Sequence, residues 1–367
     1  MKQIKRFFEC LIPVTVCNLK CNYCYIIQRD YRNMELSQLK YSPQHIAEGL
    51  TQKRLGGVCF FSICGAGETL AQPETLEIAQ LLLHEGHFVN ITTNGTLSNR
   101  FNKISKMSEN ERKRLHFSFS FHYLELKRLG LLNRFFENIN LVHENGCSYM
   151  VQLNLCDEYI PYLDEIKTLC MKKIGAYPQI AVTRKEEPGL KNIQIFTKKT
   201  EKEYKQLGES FNSELFRYTL DNFNIKRKEF CYAGERSGTL NLATGVLTKC
   251  YADPKGIDIF KDIKKPIKFE AIGHNCGCAY CLNSSHFMSL GVIDDGDKRT
   301  YASIRDRDSA NWFNNTVKEA LNQKLWDNNR VYSIPQKIIA NTKQKYKVLY
   351  YSTRHKVGLI IRKFIGK

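Results

Sequence analysis

No apolar run in this chain of 367 residues is as long as a membrane-spanning helix requires. The N-terminal residues also lack the unbroken apolar segment of a cleaved export signal, because Glu9 and Pro13 interrupt it. The sequence contains no internal repeat and no low-complexity segment, which argues against a repeat architecture. We therefore expect a cytoplasmic globular protein.

Acidic residues are also scarce, since 37 Asp and Glu oppose 55 Lys and Arg, for a net charge of +18. From residue 332 to residue 367 there is no acidic side chain, whereas basic ones occur at Lys337, Lys343, Lys345, Lys347, Arg354, Lys356, Arg362, Lys363 and Lys367. We expect a basic, helical tail that binds an anionic membrane surface peripherally. A solvated tail, or a tail packed on the protein by its apolar side, is the alternative. Nucleic acid is not expected as a partner, because there is no added RNA-binding module.

Between about residues 9 and 185, strand-like runs alternate with helix-like segments. The runs are rich in β-branched and aromatic residues: CLIPVTV, VCFFSIC, FVNITT, HFSFSF, YMVQLNL and YPQIAVT. Helical spacing lies between them, for instance at Phe135, Ile139 and Val142, with Gly146 as the helix end. Six such alternations indicate parallel β/α units, and hence an α/β fold that is either a barrel or a doubly wound sheet.

Fourteen cysteines on a long chain without an export signal indicate metal or redox chemistry rather than disulfides. Three of them, Cys17, Cys21 and Cys24, lie in the stretch TVCNLKCNYCYI, directly after the first strand-like run. A structural zinc site needs four ligands, and this stretch contains neither a fourth cysteine nor a histidine. The triad therefore favours a 4Fe–4S cluster with one iron open to a small molecule. A zinc site completed from elsewhere and three unrelated thiols are the alternatives.

This spacing, with Tyr23 as the aromatic residue before the last cysteine, resembles the signature of the radical S-adenosylmethionine (SAM) superfamily. The resemblance covers about residues 9–185 and implies a partial (β/α)6 barrel of the TIM type. It implies that Cys17, Cys21 and Cys24 are the catalytic cluster ligands and that SAM binds the open iron. One electron then cleaves SAM into methionine and a 5′-deoxyadenosyl radical, which abstracts a hydrogen atom from the substrate.

The resemblance also implies which residues contact SAM. The family's second strand ends in a Gly-Gly-Glu-Pro-like turn, and this chain has CGAGETL there, with Ala66 and Thr69 as departures from the pattern. A carboxylate in this turn suits the ammonium group of SAM. Polar residues near the ends of the next three strands complete the set, although the two serines could equally be hydrogen-bonded core hydroxyls. The predicted SAM contacts are Tyr23, Gly65, Ala66, Gly67, Glu68, Asn94, Ser118, Ser120 and Asn154.

A second group of cysteines lies further along the chain. Cys231 is followed by thirteen residues, Gly245, four residues and Cys250. This pattern is similar to the SPASM and twitch extensions of radical SAM enzymes, and the alternation around Gly245 predicts a β-hairpin. The resemblance implies one auxiliary 4Fe–4S cluster, with zinc as the alternative. Its implied ligands are Cys231, Cys250, Cys278 and Cys281, with Cys276 as a rival of Cys278 or a free thiol.

The predicted division of the chain is a barrel over 1–185, a linker and helix over 186–230, a small cysteine-rich α+β auxiliary-cluster domain over 231–295 and the tail over 296–367. We expect a radical SAM enzyme that acts on a peptide or on a carbohydrate or lipid-linked substrate, with a flavodoxin or ferredoxin as reductant. Only eight residues precede Glu9, which weakens the peptide option, because peptide maturases usually carry a leader-binding segment there. The alternatives are an iron–sulfur electron-transfer or zinc-binding protein without its own substrate, and an RNA-modifying radical SAM enzyme.

Overall fold

The strand-like runs of the N-terminal half form parallel strands. The computed structural model describes residues 3–185, 194–251, 253–274, 281 and 284–365. Its strands are β1 (Arg6–Ile12), β2 (Cys59–Gly65), β3 (Phe88–Thr93), β4 (Leu115–Ser120), β5 (Ser148–Leu155), β6 (Gln179–Val182), β7 (Arg184–Lys185), β8 (Gln194–Ile195), β9 (Ser237–Asn241), β10 (Val246–Thr248) and β11 (Ile257–Asp258).

Nine of these strands form one sheet in the order β11-β10-β9-β1-β2-β3-β4-β5-β6. β1 to β6 are parallel, and each lies beside the next strand of the chain. With right-handed crossovers, this order places the connecting helices on one face of the sheet, whereas a doubly wound sheet reverses its strand order. The predicted α/β fold is confirmed, and of the two alternatives the structure contains the open, partial barrel.

Helices alternate with the barrel strands and continue to the C-terminus. They are α1 (Tyr25–Gln28), α2 (Pro43–Glu48), α3 (Gln52–Leu55), α4 (Glu74–His84), α5 (Ser98–Phe101), α6 (Glu109–Arg112), α7 (Tyr123–Arg128), α8 (Leu132–Glu144), α9 (Leu163–Ile174), α10 (Glu201–Glu209), α11 (Glu214–Asp221), α12 (Ser284–Phe287), α13 (Asn315–Leu321) and α14 (Ile334–Ile365). Short 3-10 turns lie at Thr69–Ala71, Ile104–Lys106, Asp157–Tyr162, Asp308–Ala310 and Leu325–Asn328. The predicted periodicity at Phe135, Ile139 and Val142 is the buried face of α8.

The first strand lies further upstream than its sequence pattern predicts. β1 ends at Ile12, directly before Pro13, which has no N–H to donate to a neighbouring strand. Cys17 therefore follows a short connecting segment rather than the strand itself. In this segment the carbonyls of Val14 and Val16 accept hydrogen bonds from the backbone N–H groups of Gly67 and Glu68, at 2.6 and 2.7 Å. The cysteine stretch is thus attached to the turn after β2.

The predicted hairpin around Gly245 is present, and it extends the barrel sheet. β9 and β10 are antiparallel, with Leu240 opposite Leu247, and Gly245 in the connection has a φ of +77°. Such a φ favours glycine. On its other side, β9 runs parallel to β1, with Phe7 opposite Ser237. Backbone hydrogen bonds therefore join the cysteine-rich segment to the first strand of the barrel.

Residues after α12 cover the end of the barrel where the strands begin. The backbone N–H of Tyr149 on β5 donates to the carbonyl of Trp312 at 2.9 Å. The amide of Gln179 on β6 donates to the carbonyl of Arg305 at 3.0 Å. Trp312 and Arg305 are both almost completely buried. This segment therefore fills the lower part of the open barrel, below the strand ends where the cysteine stretch lies.

The basic tail ends in the long helix α14, as predicted for this region. Its first half packs on residues 230–274 through polar groups and through Ala340, which shares a buried cluster with Phe230 and Ala271. The side-chain oxygen of Asn341 accepts from the N–H of His274 at 2.7 Å, and Lys343 and Lys347 bind Glu270 and Asp253 at 2.8 and 2.6 Å. Among the side chains of the helix that the structure describes, most of the large apolar ones are, by contrast, exposed. Over this part of the helix, the structure does not show the alternative in which the apolar side packs on the protein.

Candidate active site

A cavity of about 770 Å³ opens where the barrel strands end. Parallel strands of a barrel present their carboxyl ends at the same face, and loops that follow them commonly build active sites. The cysteine stretch, the turn after β2, residues 92–94 after β3 and residues after β4 and β5 all contribute to the wall. The cavity volume lies within the usual range for small-molecule sites.

The three N-terminal cysteines share one wall of this cavity. Cys17, Cys21 and Cys24 all line it, and Cys24 is the residue before α1. Burial raises the pKa of the Cys17 thiol and of the Cys21 thiol. In the described ranges, no three His, Cys, Asp or Glu side chains converge on one metal-ion position. Three thiols on one concave wall fit a cluster that spreads its ligands over several corners, with room beside it for a further ligand.

Arg32 holds the backbone of the cysteine stretch in place. Its guanidinium donates to the carbonyl of Leu19 at 3.0 Å and also to the carbonyl of Cys17. Arginine presents its donors in a rigid planar fork, which suits two neighbouring acceptors. Sequence patterns did not indicate this role, because Arg32 lies in an irregular loop eight residues after the last cysteine of the triad.

Tyr23 anchors the cysteine stretch from below. Its hydroxyl lies 2.6 Å from Nδ1 of His122 and 2.8 Å from the hydroxyl oxygen of Tyr159. Burial lowers the pKa of His122 to about 4 and raises the pKa of Tyr23. The three side chains therefore form a neutral hydrogen-bonded group at pH 7. His122 was missed by sequence reasoning, although it continues the alternation of Ser118 and Ser120 and could have been found there.

The turn after β2 brings the Glu68 carboxylate against the end of β3. One oxygen, Oε1, accepts from the N–H of Leu70 at 2.9 Å and from the hydroxyl of Thr93 at 2.7 Å. The other, Oε2, accepts from the N–H of Asn94 at 2.7 Å. Burial raises the pKa of this carboxyl, although the three hydrogen bonds oppose the shift. Residues 65–68 all line the cavity, so the predicted SAM-binding turn does border it.

Position 67 requires a glycine for steric reasons. A Cβ at this position would lie 2.4 Å from the carbonyl oxygen of Val16 and 2.7 Å from backbone atoms of Thr15. Real Cβ atoms do not come so close to backbone. The glycine therefore permits the close approach of the β2 turn to the cysteine stretch.

Asn94 connects the end of β3 to the cysteine stretch. Its amide nitrogen Nδ2 lies 3.7 Å from Sγ of Cys17 and donates to the side-chain oxygen of Asn18 at 2.9 Å. Its own side-chain oxygen accepts from the hydroxyl of Thr96 at 2.7 Å. An amide that donates to a sulfur ligand stabilises the thiolate form. Asn94 is therefore positioned to act on the first cysteine.

The remaining predicted SAM contacts divide into two groups. Ser120 and Asn154 line the cavity. Ser118 is two residues closer to the start of β4 than Ser120. Its hydroxyl donates to the side-chain oxygen of Asn90 at 2.9 Å, and the Asn90 amide in turn donates to the hydroxyl of Ser62 at 3.0 Å. Ser118 is thus a hydrogen-bonded hydroxyl of the barrel interior, which was the alternative interpretation, and its contact with SAM stays a prediction.

The second cysteine group is described only in part, because Cys276 and Cys278 lie outside the described residues. Cys231, Cys250 and Cys281 are partly buried. The N–H of Cys231 donates to the carbonyl of Gly273 at 3.2 Å, and Cys250 is the second residue after β10. The next residue, Tyr251, lines the cavity. Cys250 therefore lies close to the wall of the same cavity.

Comparison with known proteins agrees with this geometry. Residues 11–160 match the family model of the radical SAM superfamily. No curated protein matches the chain. The predicted resemblance to this superfamily is therefore confirmed over residues 11–160. The family implies one 4Fe–4S cluster and SAM as cofactors.

Several solved structures match this chain at low sequence identity. Streptococcus suis SuiB bound to S-adenosylmethionine matches with 16% identity and a TM-score of 0.49, over 70% of this chain and 64% of that chain. The chain thus spans less than two thirds of the length of SuiB. Native anSMEcpe with bound AdoMet and Cp18Cys peptide has 14% identity and a TM-score of 0.44, over 96% and 98% of the two chains. BtrN in complex with AdoMet and 2-DOIA has 12% identity and a TM-score of 0.30, over 76% and 80%. Structural similarity at this level does not identify a substrate for this chain.

Proposed function

We propose that the protein is a radical SAM enzyme with two 4Fe–4S clusters. The first is held by Cys17, Cys21 and Cys24, and the second by Cys231, Cys250, Cys281 and either Cys278 or Cys276. When bound, the first cluster and SAM supply the radical that abstracts a substrate hydrogen. The observation that carries this proposal is the shared cavity, whose wall contains the three thiols, the Glu68 carboxylate and the Asn94 amide.

Glu68 is proposed to receive the ammonium group of SAM. A carboxylate offers about four lone-pair positions, and described donors occupy three of them. The three bonds fix the carboxylate at the cavity wall, so its remaining position is oriented before a ligand arrives. An ammonium group there would form a charge-assisted hydrogen bond in a largely buried site.

Two groups are proposed to position the first cluster rather than to react. The hydroxyl of Tyr23, held by His122 and Tyr159, fixes the backbone between Cys21 and Cys24. The Asn94 amide donates toward Cys17, and hydrogen bonds to cluster sulfurs are known to tune the reduction potential.

The substrate is proposed to be a peptide or a carbohydrate or lipid-linked molecule, and the reductant a flavodoxin or ferredoxin. The substrate cavity would be the space beside the cysteine triad. An RNA substrate is the alternative, and a steep dependence of RNA binding on salt would indicate it.

Anaerobic reconstitution tests the function. We expect about eight irons and about eight sulfides per chain, as two cubane clusters require. With dithionite as reductant, the protein should convert SAM into 5′-deoxyadenosine. Cys17→Ala should lose one cluster and all SAM cleavage. Cys147→Ala is the matched control, because Cys147 is buried before β5 and does not line the cavity.

Two outcomes would replace this function by an alternative. Tetrahedral zinc–thiolate coordination at the triad, measured by X-ray absorption, would indicate a zinc-binding protein. Two intact clusters without any SAM cleavage would indicate an electron-transfer protein without its own substrate.

The exposed side of α14 is proposed to bind an anionic membrane surface, from the cytoplasmic side. Ile338, Tyr346 and Leu349 are 59%, 71% and 63% exposed. They lie on the side of the helix opposite Asn341 and Lys347, which contact the protein. Exposed apolar residues beside many cations suit the boundary between acyl chains and anionic headgroups. No helix among the described residues is both long and apolar enough to cross a membrane.

Vesicle sedimentation tests this surface. The protein should bind vesicles rich in phosphatidylglycerol and not vesicles of phosphatidylcholine alone. Joint replacement of Ile338, Tyr346 and Leu349 by serine should abolish binding, since it removes apolar area without changing the charge. Equal sedimentation of the variant and the unchanged protein would contradict the proposal.

A further inference from the structure

Arg305 is a buried cation in the cavity wall. Its side chain is 1% exposed, and its guanidinium lies 3.8 Å from the ring centroid of Tyr301. It donates to the carbonyl of Tyr301 at 3.4 Å and to the carbonyl of Ser285 at 2.9 Å. Both Arg305 and Ser285 line the cavity. A positive charge is therefore held in the cavity wall by an aromatic ring and two backbone carbonyls.

The Glu9 carboxylate, which also lines the cavity, attracts this charge from a distance and opposes the lowering of the Arg305 pKa by burial. A guanidinium has five N–H donors, and the described acceptors of Arg305 are two backbone carbonyls. Within the described ranges, no Asp or Glu oxygen lies within 4.0 Å of it. A buried charge without an opposite charge in direct contact is costly, because attraction over a longer distance offsets its desolvation only in part. An anion in the cavity could accept hydrogen bonds from the remaining N–H groups.

A second donor lies in the same cavity wall. Thr183, at the end of β6, lines the cavity and is 4% exposed, and its hydroxyl has no hydrogen-bond partner in the described part of the chain. The next residue, Arg184, also lines the cavity. Thr183 and Arg305 thus supply one neutral and one charged donor from two different elements.

We propose that the substrate carries an anionic group, a carboxylate or a phosphate, that binds the guanidinium of Arg305 with the Thr183 hydroxyl as a second donor. This inference rests on the proposed function, because it takes the cavity beside the cysteine triad as the substrate site. Thr183 directly follows β6 and Arg305 lies after α12, whereas the predicted SAM contacts lie in β2, β4 and β5 and in the segments that follow β1, β2 and β3. The two ligands therefore use separate elements of the wall. A planar guanidinium suits both anions, since each can accept two parallel N–H bonds.

Anion titration of the reconstituted, SAM-loaded protein tests the proposal. Inorganic phosphate and acetate are the probes, each titrated calorimetrically at constant ionic strength with chloride as the background ion. We expect one of the two to bind, and Arg305→Gln to weaken its binding by about 10- to 100-fold, the usual range for a charged hydrogen-bonded group. The affinity of Arg305→Lys for the probe should lie between those of the unchanged protein and of Arg305→Gln, because lysine retains the charge but lacks the planar fork. Thr183→Val should weaken the same binding more modestly.

Arg236→Gln is the matched control. The Arg236 guanidinium is also buried, lies 3.7 Å from the ring centroid of Tyr232, and donates to the carbonyls of Gly291 and Arg330. It does not line the cavity. This variant should therefore bind the probe as the unchanged protein does.

The outcomes separate this inference from the proposed function. Preference for phosphate supports a phosphorylated substrate, and preference for acetate supports a carboxylate. Binding of neither probe, or binding that Arg305→Gln and Thr183→Val leave unchanged, overturns the inference. If Arg305→Gln does not fold, Arg305→Lys and Thr183→Val decide in the same way. SAM cleavage by the unchanged protein is measured in the same preparation, and its absence would overturn the proposed function while leaving the anion result valid.

Discussion

Replacement of His116 by phenylalanine should make the protein less sensitive to mild acid. His116 lies on β4, is 1% exposed, and has its ring centroid 4.6 Å from that of Phe313. In the described residues, neither of its ring nitrogens has a hydrogen-bond partner. Burial and the nearby Arg305 charge lower its pKa from 6.5 to about 3. Phenylalanine has a similar shape and leaves no polar atom unpaired.

The size of the effect follows from this pKa. Above pH 6.5 the side chain is neutral in both the folded and the unfolded chain, so it makes no pH-dependent contribution. Below pH 6.5, His116 is protonated in the unfolded chain but stays neutral in the folded chain until about pH 3. The free energy of unfolding therefore decreases as the pH falls. Between pH 7 and pH 5, His116 should lower the free energy of unfolding by about 2 kcal/mol. His116→Phe should not show this loss.

Thermal unfolding of the two proteins at pH 7, 6 and 5 measures the difference. For a chain of this length, 2 kcal/mol corresponds to about 2 to 3 °C in Tm. The unchanged protein should therefore lose that much more Tm than the variant between pH 7 and pH 5. His84→Phe is the control, because the His84 side chain is 85% exposed. Parallel Tm profiles for His116→Phe and the unchanged protein would refute the reasoning.

Three further substitutions lie in the cysteine stretch and in the turn after β2. Tyr23→Phe leaves His122 and Tyr159 without their shared partner, and should lower the free energy of unfolding by about 1 to 3 kcal/mol, measured by thermal unfolding. Gly67→Ala should reduce iron incorporation, because its Cβ would meet the backbone of the cysteine stretch; full iron content would contradict this. Glu68→Gln should weaken SAM binding by at least about tenfold in equilibrium dialysis, since it removes a buried charge beside the predicted ammonium site.

Local patterns were sufficient for most of the barrel. The alternation of strand-like runs with helical spacing predicted β1 to β6 in order, and α8 follows the spacing of Phe135, Ile139 and Val142. Periodicity is a property of neighbouring residues, so it can be read along the chain. Pro13 shows the limit of such reading, because it ends β1 earlier than the hydrophobic run suggested.

The supporting residues of the site could not be predicted in the same way. Arg32 and Arg305 line the cavity, and Tyr159 contacts the cavity residue Tyr23, because distant segments meet there, and no short pattern surrounds these three residues. Arg305 is more than 280 residues from Cys24 in the sequence. The side of α14 that faces the protein was also not predictable, since either its polar or its apolar residues could have made the contact. Contacts of this kind depend on the tertiary fold rather than on local preference.

The pairing of β9 with β1 has a consequence for how the chain can be shortened. β1 lies between β2 and β9, and its two neighbours are separated by more than 170 residues of sequence. A fragment that stops before residue 237 would leave one side of β1 with unpaired N–H and C=O groups, and such an exposed edge promotes intermolecular strand pairing. During synthesis, β1 likewise cannot pair with β9 until most of the chain has left the ribosome. Recombinant versions limited to the N-terminal half should therefore aggregate, even though that half contains the whole signature of three cysteines.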